Sequence, residues 1–194
     1  MSTLKEVTET FNAVKKINKN IALTQCTSSY PCNPKISDIN VIKEYIKKFK
    51  VVTGLSDHTS KIYTSIGAIA VGARIIEKHF TLNKKAKGPD HASSLEPSEL
   101  KQLVEGCNDV FVASLNKIKK IHNEEKQIIS WARESVVTIK NIDKNEILNK
   151  GNISVKRPAP TKKEIPANKY FNILGKKALN KIKKNRKIKW SEIN

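Results

Sequence analysis

Three short apolar runs, each followed by an amphipathic stretch, confine the first 118 residues to one style of folding. The runs are Ile21 to Cys26, Val51 to Ser56 and Arg74 to Phe80. Around them apolar residues recur three or four apart, as Leu4, Val7, Phe11, Val14 and Ile17 and then as Ile39, Ile42, Tyr45, Ile46 and Phe49. That spacing puts one apolar face on a helix, whereas a run of about six residues bounded by turn signals suits a buried strand. A small-residue helix is expected over Tyr63 to Val71, and a longer one from Pro97 to about Ile118. Proline suits that first helical position, where its missing N–H would have no partner anyway. A helix followed by three strand–helix units predicts a parallel sheet with crossover helices.

The chain has 194 residues. A complete eight-stranded α/β barrel typically needs about 250, so the chain is too short for a whole one. No glycine-rich phosphate loop succeeds any of the three strands, which argues against a nucleotide-binding Rossmann fold. Each strand instead runs into polar or ionisable residues: Gln25 to Tyr30, Ser56-Asp57-His58 and Glu77-Lys78-His79. In α/β barrels the C-terminal strand ends carry the chemistry. His58 and His79, behind successive parallel strands, would face one mouth, and neutral imidazole suits a divalent transition metal. Either ring taken alone reads more simply as a polar rim residue. Asp57 and Glu77 are candidates to orient the rings, or else partners in ion pairs with Arg74 or Lys78.

After this region the texture changes. Residues 119–133 form a charged linker, helical at best, ending in Trp131-Ala132-Arg133. Short strands are expected over Ser135 to Ile139 and Ile153 to Lys156, and Pro158, Pro160 and Pro166 punctuate the chain beyond the second of them. Residues 134–194 thus read as a small, loop-rich, β-containing domain near the lower size limit for independent folding. The net charge of +19 is uneven, with +6 over residues 1–125 and +13 over 126–194. Of 37 basic residues only four are arginine (Arg74, Arg133, Arg157 and Arg186), and aromatics make up 6%. Nucleic-acid surfaces rely on arginine forks and aromatic stacking, so the charge reads as lysine-biased composition and argues against a nucleic-acid partner. Three cysteines without zinc-type spacing point to free thiols in a reducing compartment. With no apolar signal core behind Met1 and no apolar run of about 20 residues, the expected location is the cytoplasm, without membrane contact.

Several motifs stand in register. Tyr30-Pro31, Gly54-Leu55-Ser56-Asp57-His58-Thr59, Glu77-Lys78-His79-Phe80-Thr81, and Gly88-Pro89-Asp90-His91 through Ser94-Leu95-Glu96-Pro97 together resemble the sialic acid synthase family. Ala132-Arg133, Ser135-Val136-Val137, Val155-Lys156-Arg157-Pro158 and Leu174-Gly175-Lys176 resemble the small antifreeze-like (SAF) domain that ends the same family. The resemblance implies an α/β fold: about three β/α units from the C-terminal portion of a TIM-type barrel over residues 1–118, the linker, and the SAF domain over 134–194.

It also implies an enzyme that condenses phosphoenolpyruvate with an N-acetylated hexose, N-acetylmannosamine or a relative, to a nine-carbon 2-keto sugar acid. His58 and His79 match the ligands of a divalent metal, manganese first, with magnesium and cobalt as the other candidates. Tyr30 and Asp90 match catalytic positions that contact the hexose, and Ser28 and Ser56 match positions near phosphoenolpyruvate. Arg157 matches an arginine that reaches from the SAF domain of one subunit of a homodimer into its partner's active site, and Trp131 an aromatic at that site's edge. Gln25 stands where relatives often have histidine, and Ala159-Pro160-Thr161 replaces a glycine-containing turn. Strands that in relatives carry further phosphoenolpyruvate-binding groups are not among the three found here. The expectation is therefore a C-terminal fragment or subunit, inactive alone: one polypeptide of a split enzyme with a separate N-terminal half chain, a truncated or frameshifted product, or part of a longer gene. A legionaminic or pseudaminic acid synthase, and a non-enzymatic SAF-domain carbohydrate- or partner-binding module, are the alternatives.

Overall fold

The computed structural model describes residues 1–116 and 118–194. They form two compact units, Met1–Lys117 and Ile118–Asn194. The first unit runs α1 (Leu4–Lys15), β1 (Ala22–Cys26), α2 (Val41–Phe49), β2 (Val52–Asp57), α3 (Tyr63–Ala70), β3 (Ile75–Lys78) and α4 (Pro97–Ser114). The strands pair in the order β1-β2-β3, both pairings parallel. The helix and strand–helix order expected from apolar spacing is the one observed.

Local chemistry sets the boundaries. Thr3 and Glu6 form a capping box on α1, each side chain accepting the other's backbone N–H, which satisfies two donors that have no partner inside the helix. α2 begins at Val41 rather than Ile39, because the chain before it closes in tighter turns, with the Val41 N–H on the Asp38 carbonyl at 2.9 Å and the Ile42 N–H on the Ile39 carbonyl at 3.2 Å, whereas an α-helix bonds to the fourth residue back. α4 opens on Pro97 as expected, and Glu99 accepts the Glu96 N–H. It ends at Ser114, where the Ser114 hydroxyl donates to the Phe111 carbonyl at 2.7 Å and competes with the helical ladder. Lys117, part of the longer helix expected there, lies outside the described residues. β3 stops at Lys78, and the His79 carbonyl accepts the Leu95 N–H at 2.8 Å, tying the next loop back to the strand end.

Helices cover one face of the sheet. Ile42, Leu55, Ala68, Ile69 and Ala73 form one buried cluster there, and Phe11, Tyr45 and Phe49 another. On the opposite face Ala22, Thr24, Val52, Ile75 and Glu77 remain exposed, with Val52 at 52%. β1 and β3 each pair with β2 alone among the described residues. The sheet therefore presents two open edges and one open face, a template for further strands.

The second unit contains α5 (Asn123–Ala132), β4 (Ser135–Thr138), β5 (Ile153–Lys156) and the single-turn α6 (Tyr170–Ile173). β4 and β5 pair antiparallel, Ser135 opposite Lys156 and Thr138 opposite Ile153. The 119–133 segment is largely α5, and the Ser130 carbonyl accepts the Ala159 N–H at 3.1 Å. Much of the remaining order comes from isolated bridges, Val137 with Lys187, Ile142 with Ile182, Ile147 with Lys177 and Ala178 with Ile193. These place Val136, Ile142, Leu148, Ile153, Ile165, Ile173, Ala178, Ile182 and Ile188 in one core, each at most 1% exposed. Ile182→Ala should cost about 2–5 kcal/mol, a large share of what so small a unit possesses. Urea unfolding monitored by tryptophan fluorescence checks this; a loss under about 1 kcal/mol would contradict the packing. Among the described residues no helix is long and apolar enough to cross a membrane.

Candidate active site at the strand ends

Register brings the two histidines together. Asp57 and Lys78 stand directly opposite one another as the last residues of β2 and β3, so His58 and His79 leave the sheet at the same level. The two imidazole centroids are 5.1 Å apart and nearly perpendicular, at 84°. Tyr30, from the loop after β1, lies 4.2 Å from the His58 ring and 5.7 Å from the His79 ring. Three successive strand ends therefore contribute one ring each to a single cluster.

His58 is held on two sides. Its Nδ1 lies 2.9 Å from the Thr27 carbonyl, and its own carbonyl accepts the Cys32 N–H at 2.8 Å. A carbonyl only accepts, so Nδ1 carries the proton and the neutral ring keeps its lone pair on Nε2. His79 is freer, its side chain 30% exposed, with Nδ1 3.9 Å from Asp90 Oδ2, beyond hydrogen-bond reach. His79 and Asp90 line a cleft of about 300 Å³ together with Phe80, Gly88, Pro89, His91 and Ser94. The Ser93 and Ser94 hydroxyls donate to the Asp90 carbonyl, and Thr81 Oγ1 lies 2.7 Å from His91 Nδ1. The loop bearing Asp90 is thus braced from within.

The remaining first-unit candidates lie close by. The buried Ser56 donates to Glu77 Oε1 at 2.7 Å across β2 and β3. Ser28 is exposed, its hydroxyl 4.0 Å from the Cys26 thiol. Asp57 makes no hydrogen bond to either histidine ring. It accepts from the Thr59 N–H and from the Thr64 and Ser65 hydroxyls, and pairs with Lys78 at 3.3 Å. Burial pushes its carboxyl up, but the Ser65, Thr64 and Thr59 donors and the Lys78 charge together hold it below the usual aspartate range. Burial pulls Lys78 down, with Asp57 opposing.

Among the described residues no three His, Cys, Asp or Glu side chains converge tightly enough to hold a metal ion. Two imidazoles, one with its Nε2 lone pair free, fit two positions on a divalent cation that accepts nitrogen and oxygen donors. Water, substrate or other groups would complete the shell. In the second unit Trp131 is exposed, and the Arg157 guanidinium carbon lies 5.8 Å from its ring centre. Arg157 lines a cleft of about 800 Å³ with Arg133, Glu134, Pro160 and Asn168.

The model of the NeuB family matches residues 1–119, and that of the SAF domain residues 133–194. The chain belongs to the NeuB family. It is 39% identical over 192 residues to an N,N'-diacetyllegionaminic acid synthase of Campylobacter jejuni, covering 97% of this chain and 57% of that one. It is 38% identical over 180 residues to the human N-acetylneuraminate-9-phosphate synthase, covering 92% and 49%. Among solved structures it resembles a spore coat polysaccharide biosynthesis protein of Bacillus subtilis, with a TM-score of 0.56 and 27% identity over 100% of this chain and 59% of that one. The NeuB-family chain spans about half the length of the curated relatives it matches. Its parallel three-stranded sheet is part of a barrel of that family, and a SAF domain comes after it.

Sequence reasoning missed the groups that hold the site's shape. The Thr27 carbonyl and the Cys32 N–H are backbone atoms and leave no residue-type signal. The Asp57–Thr64–Ser65 bonds become visible only once α3 packs against the end of β2.

Proposed function

We propose that this chain provides the hexose- and metal-binding half of a sialic acid synthase-type active site. The reaction joins phosphoenolpyruvate and an N-acetylated hexose with uptake of water, giving a 2-keto sugar acid and inorganic phosphate. C3 of phosphoenolpyruvate bonds to the sugar's aldehyde carbon, and the aldehyde oxygen takes a proton to become a hydroxyl. The single observation that carries this reading is the convergence of Tyr30, His58 and His79 at three adjacent strand ends, beside Asp90. A half barrel serving only as a scaffold has no need of that cluster.

The two imidazoles would hold a divalent cation, manganese first, which supplies Lewis-acid polarisation of the aldehyde when bound. Tyr30 packs on both rings and would border the sugar through its hydroxyl. Asp90, with its carboxylate largely exposed in the cleft, would accept hydrogen bonds from sugar hydroxyls and orient the aldehyde. Ser28 and Ser56 lie at the ends of β1 and β2 and would donate to phosphoenolpyruvate. That role requires the Ser56 hydroxyl to exchange its bond to Glu77. Arg157 would donate to the N-acetyl carbonyl from the SAF domain of the partner in a homodimer, with Trp131 at the edge. The enzyme would work in the cytoplasm. The names of the relatives admit several hexoses, those leading to N-acetylneuraminate 9-phosphate, diacetyllegionaminate and pseudaminate.

The open edges of the sheet and the half-length match support a working form in which further barrel strands, on the same or another polypeptide, complete the site. The test compares the 194-residue chain alone with the chain mixed with the N-terminal half of a synthase, supplying phosphoenolpyruvate, N-acetylmannosamine and manganese. Keto-acid formation is expected only in the mixture. Turnover by the chain alone would overturn the shared-site reading. Phosphoenolpyruvate unconsumed with every N-acetylated hexose tried, in a complex shown to assemble, would overturn the function.

A further inference from the structure

A buried charge pair lies directly beneath the two histidines. Asp57 and Lys78 are cross-strand neighbours, their side chains 1% and 2% exposed, and each immediately precedes a candidate metal ligand. Side chains alternate along a strand, so these two point into the helix-covered face while the next residue on each strand turns toward the mouth. Asp57 ties the end of β2 to the first turn of α3, through Thr64 and Ser65, each at 2.6 Å. Lys78 ties the end of β3 to the segment after His58, donating to the Thr59 carbonyl and pairing with Asp57. No ligand role is open to either, because every polar atom of the pair faces protein.

The geometry points to Asp57 and Lys78 as positioning residues: an interstrand clamp that sets the separation and angle of His58 and His79, and so the affinity of the site for a divalent cation. The inference rests on the proposed metal role of those histidines. A buried ion pair need not be the most stabilising choice at such a place, since desolvation offsets much of its attraction. What it supplies is geometry, because the Lys78 ammonium reaches two acceptors on the neighbouring strand end and Asp57 accepts from three residues. Apolar substitutes would fill the space without fixing the register of the two rings. Groups hydrogen-bonded to metal ligands typically change affinity by about 10- to 100-fold, and a clamp that reaches the rings through the backbone belongs at the low end of that range.

Lys78→Met in the full 194-residue chain tests this, because it removes the cation while leaving Asp57 its three neutral donors. Two quantities are read in folded protein: manganese affinity by titration, and the protonation of the His58 ring by nitrogen NMR without metal. The expected result is about tenfold weaker manganese binding and a His58 ring that exchanges between tautomers, where the wild type holds its proton on Nδ1. Manganese affinity within twofold of wild type and an unchanged His58 tautomer would overturn the clamp, leaving the pair a purely structural one. If the wild-type chain binds no manganese alone, the titration is made in its complex with the N-terminal half of a synthase; absence of binding there removes the metal role proposed above, and the tautomer comparison still decides the clamp. Should Lys78→Met not fold, Ser65→Ala decides it through the same two readouts, because it removes one donor without stranding a charge. Smaller shifts in the same direction support the clamp, and none overturns it.

Discussion

Alanine at both His58 and His79 is expected to abolish divalent-metal binding and to lower keto-acid formation by the completed enzyme about a thousand-fold or more. Losing a Lewis acid at a polarised carbonyl removes several kcal/mol of transition-state stabilisation, and each 1.36 kcal/mol is about tenfold in rate. The two positions are not equivalent. His79 is partly exposed with no close hydrogen bond, so its removal should leave stability within about 0.5 kcal/mol. His58 is buried with Nδ1 against the Thr27 carbonyl, so alanine there strands an acceptor at a cost of about 1–3 kcal/mol. His58→Asn separates the two effects, since its amide N–H can replace the Nδ1 donor but nothing replaces Nε2. A folded His58→Asn chain that neither binds manganese nor supports turnover is the expected outcome. Wild-type manganese affinity in the double variant would remove the histidines from the metal site.

Gly54→Ala is expected to be the most damaging single change to the first unit. A Cβ at Gly54 would lie 2.3 Å from the Ile75 carbonyl oxygen and 2.7 Å from the Ile75 Cβ. The carbonyl is backbone of the neighbouring strand, so no rotamer change relieves the clash, and β2 and β3 must separate or shift register. Overpacking of a core costs about 1–3 kcal/mol even where side chains can adjust. Here about 3 kcal/mol or more is expected, with loss of the pairing that aligns His58 and His79. Circular dichroism and hydrogen exchange of the β2 and β3 amides measure it. The second unit, with its separate core, should keep its protection. Full protection across β2 and β3 would show that the strands are not this close.

Legibility in the sequence varies with how local the determining forces are. α1, α2 and the three strands declare themselves because burial of one face imposes a period that survives in the residue order. The end of α4 does not: the helix stops at Ser114, its last turn closed by the Leu115 N–H on the Val112 carbonyl, against an apolar pattern that continues to Leu115 and Ile118. The second unit reads as loop-rich, yet nothing in its residue order marks Ile182, Ile188 and Ile193 as core. They sit singly among lysines and polar residues: Ile182 bridges Ile142, Ile193 bridges Ala178, and Ile188 exchanges backbone bonds with Val136 and Ile165, none of them within a regular strand. Their burial is set by pairings with residues elsewhere in the unit, which no local period records.

Tyr30, His58, His79 and Asp90 can be singled out from residue type at strand ends and from the family resemblance. Their chemical state cannot. The sequence alone determined a parallel β/α arrangement with polar strand ends and a second region of different texture. Those properties come from short-range periodicity and from the preference of apolar side chains for burial. Only the tertiary structure decided that Asp57 and Lys78 face each other beneath the rings, and that the Thr27 carbonyl assigns the His58 proton. Register between strands about twenty residues apart is a collective result of packing, and a backbone carbonyl is the same atom in every residue.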